Sequence, residues 1–230
     1  MLMDLSPLEK KLGIEFNSKD FLNQALVHRS YINENPDFGL EDNERLEFLG
    51  DAVLEMIVTE HLYRNYPSPE GDLTNWRAAL VNAKMLSSIA EQLGVNDFLF
   101  LSKGENKDTG RARRYILANA MEAIIGAAYL DQGYEKISQF VEREILKKLP
   151  NIIKHKIYRD PKSRFQEEAQ EKVGVTPTYE VVKEWGPDHN KNFVIGIYLG
   201  EKEIAQGQGA SKQEAQEKAA EAALKRKGWE

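Results

Sequence analysis

Apolar residues recur at spacings of three and four along the first two-thirds of the chain, which is the periodicity of helices that bury one face. Two such stripes are formed by Leu46, Leu49, Val53 and Ile57, and by Ile116, Ala120, Ile124 and Ala128. Segments containing glycine or proline separate the stripes, and no clear alternation of polar and apolar residues occurs before residue 175. The pattern predicts an all-α domain over residues 1–150, ended by Pro150.

The pattern changes beyond residue 160, where strand-like alternation appears. The predicted elements are a helix, three strands and a helix, at residues 162–173, 178–185, 191–199, 202–208 and from Ser211 onward. Apolar residues on one face of the second strand are Phe193, Ile195, Ile197 and Leu199. This α-β-β-β-α order predicts a small α+β domain over residues 160–230, an antiparallel sheet with one face covered by helices. Residues 151–159 are predicted to be a linker.

Composition excludes several classes of protein. The chain has 230 residues, of which 41% are hydrophobic and 30% charged, as in globular proteins. The absence of cysteine excludes disulfide scaffolds, thiolate zinc sites and cysteine nucleophiles. No apolar run approaches the roughly 20 residues of a membrane helix. The N-terminal residues have no secretory pattern, so we expect a cytoplasmic protein with no membrane partner.

The net charge of −6 is an argument against a nucleic-acid partner, because phosphate binding relies on Lys and Arg. However, net charge says nothing about how charges cluster, and a site that holds metal ions must itself be acidic. The charge of the whole chain therefore does not decide the question.

The densest group of acidic residues lies between Asn43 and Leu54. Glu47 and Asp51 are four residues apart, so a helix places both carboxylates on one face, where they repel each other. Gly50 lies between them and has a poor helix propensity. Two unfavourable residues within one turn indicate a functional site, and Gly50 would allow another helix or a substrate to approach closely.

A second pair, Asn119 and Glu122, is three residues apart on a later predicted helix with small and apolar neighbours. Two helices that each present such a pair could hold Mg²⁺ through oxygen ligands and support phosphodiester hydrolysis. The alternative is that the acids lie on solvated helix faces and are neutralised by Arg45 or Arg77. Spacing alone favours this alternative.

Residues Asn43 to Leu54 resemble the signature of the ribonuclease III family almost residue for residue. Stretches that agree with the family in order and spacing lie at residues 25–31, 70–73, 116–125 and 126–131. The C-terminal part resembles the double-stranded-RNA-binding domain that follows the nuclease domain in bacterial members. The resemblance covers essentially the whole chain and implies an all-α endonuclease domain followed by that small α+β domain.

The resemblance also implies roles for individual residues. The metal ligands would be Glu47, Asp51, Asn119 and Glu122, of which Asp51 and Glu122 would be the catalytic residues most needed for activity. Phe48 would lie at the interface of a homodimer, and Glu70 near the active site. The enzyme would cut double-stranded RNA with Mg²⁺, or with Mn²⁺ in its place, and leave 5′-phosphate and 3′-hydroxyl ends. Processing of rRNA and mRNA is the expected role.

Asn119 departs from the family, which usually has aspartate at this position. An asparagine oxygen can coordinate a cation or a metal-bound water, but it supplies no negative charge. Two interpretations follow: natural variation with retained activity, which we favour because the other three acids remain, or an attenuated enzyme. A double-stranded-RNA-binding protein that has lost catalysis is the alternative function.

The resemblance places RNA-binding residues in three parts of the small domain. They are Ser163, Gln166, Glu167 and Gln170 on its first helix, His189 and Lys191 in the loop after the first strand, and Lys212 and Lys218 on its last helix. The first two groups would contact minor grooves and the lysines would contact phosphates between them. Gln213 stands where many members have a second lysine. Arg111, Arg113 and Arg114 would either contact phosphate near the metals or belong to an exposed loop.

Overall fold

The computed structural model describes residues 3–107, 110–155, 158, 160–187 and 191–229. The chain divides into two compact units, residues 1–154 and residues 155–230. Each unit is described by itself below. Among the described residues, no helix combines the length and apolar character that a membrane crossing requires.

The first unit is helical, and its only β-type pairing within the described residues is an isolated bridge between Val27 and Phe100. Its α-helices are α1 (Ser6–Leu12), α2 (Lys19–Ala25), α3 (Arg29–Glu34), α4 (Glu44–Asn65), α5 (Glu70–Val81), α6 (Ala83–Gln92), α7 (Arg111–Gln132), α8 (Tyr134–Glu144) and α9 (Leu149–Lys154). Short 3₁₀ turns lie at Val95–Phe98, Glu105–Lys107 and Leu146–Lys148. The predicted all-α architecture of this part of the chain is confirmed.

The core of this unit is built around α7, a helix of 22 residues. Most of its side chains from Ile116 to Ala128 are buried, so α7 is surrounded by other helices, chiefly α4, α6 and α2. Small residues such as Ala123 and Gly126 line this helix and allow those close contacts. A helix buried on most sides holds its polar residues in fixed places, which positions the candidate site.

The second unit has the predicted order of helix, three strands and helix. Its elements are α10 (Pro161–Val173), β1 (Thr178–Trp185), β2 (Asn192–Leu199), β3 (Lys202–Gly209) and α11 (Lys212–Lys227). The sheet is antiparallel with strand order β1-β2-β3. Ile195 and Ile197 on the inner face of β2 are buried, and Phe165 of α10 and Ala219 of α11 are packed into the same unit's core. Ser211 caps α11 by accepting a hydrogen bond from the Glu214 N–H at 3.1 Å.

The prediction that Pro150 ends a helix is wrong. Pro150 is the second residue of α9, which continues to Lys154 and buries Leu149 and Ile152. Proline is tolerated in the first turn of a helix, because the N–H groups there have no partner within the helix. Residues 151–154, which the sequence pattern assigned to the linker, are therefore helical.

Candidate functional site

The candidate site lies where α4 and α7 cross, and glycine makes this crossing possible. A β-carbon added at Gly50 would overlap the carbonyl oxygen of Glu122 and lie 2.8 Å from the amide nitrogen of Gly126. Gly126 is equally constrained, because its own β-carbon would overlap the carbonyl oxygen of Leu46. The two backbones are therefore in direct contact. The prediction that Gly50 allows another helix to approach closely is confirmed.

This contact brings together the acidic pairs of the two helices. Burial, together with the negative charges of Asp51 and Glu47, raises the pKa of Glu122 to about 7. Burial also raises the pKa of Glu47, helped by the charges of Glu44 and Asp51, whereas a hydrogen bond from Asn119 acts in the opposite direction. All four residues predicted from the resemblance as metal ligands thus belong to one electrostatic cluster.

Neutralisation of these acids by Arg45 or Arg77 does not occur. Arg45 lies 3.7 Å from Glu41, and Arg77 donates a hydrogen bond to the hydroxyl of Thr59 at 3.0 Å. In the part of the chain that the structure describes, Glu47, Asp51 and Glu122 form no ion pair with a Lys, Arg or His side chain. The cluster therefore holds negative charge that the described residues do not compensate.

The donor set suits a hard divalent cation. Three carboxylates and one amide provide only oxygen ligands, which Mg²⁺ prefers. No three acidic or histidine side chains among the described residues are already close enough to enclose a metal ion. Mg²⁺ often binds through one or two carboxylates and keeps several waters and substrate oxygens, so it does not require three acidic side chains that already converge.

The three arginines before Asn119 have different environments. Arg113 is buried and donates a hydrogen bond to the carbonyl oxygen of Glu105 at 2.8 Å, so it supports the preceding loop. Arg111 lies over the ring of Tyr115, with the guanidinium carbon 5.8 Å from the ring centroid. Arg111 and Arg114 are exposed. Only these two could reach a phosphate, so the three arginines do not act as one group.

Phe48 lies on the outer face of α4 and is 81% exposed. Met56 and Tyr63 are also exposed on α4, at 49% and 80%. Phe48 itself borders a surface cavity whose apolar lining includes Phe21, Leu49 and Leu130. A monomeric protein rarely exposes such a run of large apolar side chains without a partner.

The polar side chains predicted on the first helix of the small unit share one surface. Ser163, Gln166, Glu167 and Gln170 line a shallow groove on the exposed side of α10. Phe165 and Ala169, on the opposite side, are buried in the core. Ser163 donates a hydrogen bond from its hydroxyl to Asp160, the N-cap residue, at 3.0 Å. The structure thus brings this predicted stripe together on a rigid helix.

Of the four other residues predicted to contact RNA, the structure describes three, and these three lie in different environments. His189 lies outside the described residues. Lys191 is half-buried directly before β2. Lys212, at the start of α11, lies with its nitrogen 5.8 Å from the centroid of the Phe193 ring. Lys218 forms an ion pair with Glu214 at 2.8 Å, so part of its charge is compensated within the helix.

Comparison with known proteins assigns the two units separately. The family model for Ribonuclease-III-like proteins matches residues 18–149, and that for the double-stranded RNA binding motif matches residues 161–227. Ribonuclease 3 of Campylobacter jejuni (strain RM1221) is 42% identical over 228 residues, which cover 99% of this chain and 99% of that protein. The chain belongs to the ribonuclease III family. Ribonuclease 3 of Oceanobacillus iheyensis is 45% identical over 224 residues, covering 96% of this chain and 97% of that protein.

A solved structure supports the fold of the helical unit. The nuclease domain of ribonuclease III from Campylobacter jejuni matches with a TM-score of 0.58 and 41% identity, covering 65% of this chain and 98% of that domain. A second structure of that domain, with the same TM-score and identity, is described as showing flexibility in a region involved in dimer formation. Ribonuclease III enzymes are generally dependent on divalent metal ions, which agrees with the oxygen-rich cluster between α4 and α7.

Sequence reasoning missed two residues of the candidate site. Glu44 raises the pKa of Glu47 through its charge, after the larger effect of burial. It lies three residues before Glu47, so the spacing that paired Glu47 with Asp51 could have identified it. Gly126 provides the other half of the helix crossing. Its signal was a glycine inside an otherwise helical apolar stripe, which costs about 1 kcal/mol and usually has a packing reason.

Proposed function

We propose that this chain is an endoribonuclease that hydrolyses double-stranded RNA with Mg²⁺ bound by Glu47, Asp51 and Glu122. The observation that carries this proposal is the uncompensated cluster of three carboxylates where α4 and α7 meet, in a chain with a double-stranded RNA binding motif. Cleavage would leave 5′-phosphate and 3′-hydroxyl ends. A role in rRNA and mRNA processing, and a cytoplasmic location, remain predictions.

The residues of the chain prepare the site for the cation and the substrate. A bound divalent cation supplies a water of lowered pKa as the nucleophile and neutralises charge on the phosphate. The raised pKa of Glu122, about 7, favours its protonated form relative to an ordinary glutamate, and Glu122 must lose that proton to become a ligand. The side chain of Asn119 lowers the pKa of Glu47 and so favours the charged form of that ligand.

Asn119 takes the place of a fourth carboxylate. Its amide group favours the charged form of Glu47, which a carboxylate at this position would oppose. The amide oxygen remains available to a cation or to a bound water. We therefore favour natural variation with retained activity over an attenuated enzyme.

Cleavage of a long RNA duplex tests the proposal. The unmodified chain, Glu122→Gln and Asn119→Asp are compared with Mg²⁺, with Mn²⁺ and with a chelator. We expect metal-dependent cutting by the unmodified chain and its loss in Glu122→Gln, with duplex binding retained. If the unmodified chain binds the duplex without cutting it, and Asn119→Asp restores cutting, the result would instead support the alternative of an attenuated protein that acts as a binder of double-stranded RNA. Substitution of Arg45 by Gln serves as a control for general charge effects.

We further propose that two copies of the chain associate through the outer face of α4. Phe48 is exposed beside a cavity lined by apolar residues, so each copy could insert its Phe48 into the cavity of the other. Such a reciprocal contact is what a two-fold axis produces. Phe48→Asp should yield a monomer in sedimentation analysis while its thermal stability as a folded monomer is kept. A dimer that persists in this variant would refute the role of Phe48.

In the small unit, the groove along α10 would contact the minor groove through Ser163, Gln166, Glu167 and Gln170. Double-stranded RNA is recognised largely by its shape and its 2′-hydroxyl groups, so polar side chains on a rigid helix suit this contact. His189 and Lys191 would contact a second stretch of minor groove. Lys212 and Lys218 would contact the phosphates between them.

A further inference from the structure

The start of α11 carries few uncompensated cations. Lys218 lies 2.8 Å from a carboxylate oxygen of Glu214. Gln213 donates a hydrogen bond to Glu217 at 3.0 Å and has no charge. Of the lysines on the first two turns of α11, Lys212 is the one that forms no ion pair with a carboxylate among the described residues.

A second cation reaches this surface from a different element. Lys162, the second residue of α10, donates a hydrogen bond from its ammonium group to the side-chain oxygen of Gln216 at 2.7 Å. The same nitrogen lies 5.5 Å from the centroid of the Tyr179 ring, whose face attracts cations. Gln216 is one helical turn after Lys212, so the two cations lie on the same side of α11.

The partners of Lys162 hold its position without neutralising its charge. Gln216 and Tyr179 are both uncharged, in contrast to the carboxylates that lie 2.8 Å from Lys218 and 2.8 Å from Lys172. No ion pair of Lys162 with a carboxylate occurs within the described ranges of the chain. Ordering a lysine side chain costs conformational entropy. Because the contacts of Lys162 already order its side chain in the unbound protein, less entropy is lost when a ligand binds.

Lys162 is also continuous with the polar groove on α10. It directly precedes Ser163, the first residue of that groove, and its ammonium lies beside α11. This position joins the groove expected to contact the minor groove with the helix expected to contact phosphates. A phosphate between them would meet Lys212, Lys162 and the amide nitrogen of Gln216.

We propose that Lys162, held against Gln216 by α10, is a phosphate-binding residue of the small unit and supplies a positive charge that α11 itself lacks. The inference rests on the proposed function, because it assumes double-stranded RNA as the ligand. It adds to that function a binding residue on α10 that acts on the surface of α11.

Binding of an RNA duplex by the full chain tests this, measured without divalent metal in KCl from about 50 to 200 mM. The slope of log affinity against log salt counts the phosphates contacted, at about 0.9 per contact. We expect Lys162→Met to lower that slope by about one contact and to weaken binding about fivefold near 0.15 M salt. Lys162→Met combined with Gln216→Lys should restore both values, because the charge returns to the same place.

Lys225→Met is the matched control, since Lys225 is exposed near the other end of α11 and should leave slope and affinity unchanged. A thermal melt verifies that each variant is folded. The inference is overturned if Lys162→Met leaves the slope unchanged, whether or not affinity falls, because Lys162 would then act only through packing. If the unmodified chain fails to bind the duplex at all, the proposed function fails and this inference fails with it.

Discussion

Replacing Gly50 with alanine should separate the two helices that carry the candidate ligands. The new β-carbon would overlap the carbonyl oxygen of Glu122 and would lie 2.6 Å from the carbonyl carbon of the same residue. It would also lie 2.8 Å from the amide nitrogen of Gly126. All of these are backbone atoms, which no side-chain rotation can move away. Ordinary contact requires roughly 3.5 Å or more, so the backbones of α4 and α7 must separate by about 2 Å at this point.

Two effects of opposite sign set the magnitude. Alanine is favoured over glycine in a helix by about 1 kcal/mol. Overpacking of a tight core costs about 1–3 kcal/mol and more where backbone must shift, so we expect a net loss of about 2 kcal/mol in the free energy of unfolding. Displacing Asp51 from Glu122 by more than about 1 Å should also reduce cleavage at least about a hundredfold, because catalysis depends on such placement.

Urea unfolding of Gly50→Ala and Gly71→Ala distinguishes packing from propensity. Gly71 lies in the first turn of α5, its backbone is not left-handed, and a β-carbon there would meet nothing within 4 Å. Gly71→Ala should therefore be neutral or slightly stabilising. The packing argument is refuted if Gly50→Ala is as stable as Gly71→Ala and cuts duplex RNA at the rate of the unmodified chain.

Two further predictions concern stability. Because the pKa of Glu122 in the fold, about 7, exceeds its ordinary value of 4.5, the native state binds more protons between these values. Without divalent metal, stability should fall as pH rises through this window. Glu122→Gln should remove that dependence and should unfold with a free energy about 2 kcal/mol higher than that of the unmodified chain at pH 8. If the free energies of unfolding of the two proteins run parallel as pH changes, this prediction is contradicted. The ring of Trp229 packs on that of Phe165 with 5.3 Å between the ring centroids, and the Trp229 carbonyl accepts a hydrogen bond from Arg164. Trp229→Ala should therefore lower the free energy of unfolding of the small unit by about 3 kcal/mol. An unchanged thermal melt would contradict this prediction.

The small unit shows how much of this fold local pattern determines. The first strand runs from Thr178 to Trp185 as predicted, and the second and third differ from the prediction by one residue each. The first and last residues of these elements were predictable because the alternation of polar and apolar residues along β2, and the cap at Ser211, depend only on residues that are close in sequence. The continuation of α9 beyond Pro150 was not, since it depends on burying Leu149 and Ile152 against the rest of the helical unit.

The spacing of residues predicted each of the two pairs in the candidate site, but not the contact between the pairs. Helical spacing places Glu47 with Asp51 and Asn119 with Glu122, but it does not bring the two pairs together. That requires Gly50 and Gly126, which are 76 residues apart and meet only in the folded chain. Family resemblance supplied the connection, and the contact between these two glycines gives its physical reason.

The net charge of −6 belongs wholly to the helical unit, which changes its bearing on RNA binding. Residues 1–154 contain 18 Lys and Arg against 24 Asp and Glu, whereas residues 155–230 contain 13 of each. An RNA-binding unit with no excess of positive charge has little general attraction for phosphate. Its affinity must then come from where individual cations are held, so the positions of Lys212 and Lys162 matter more than the total charge.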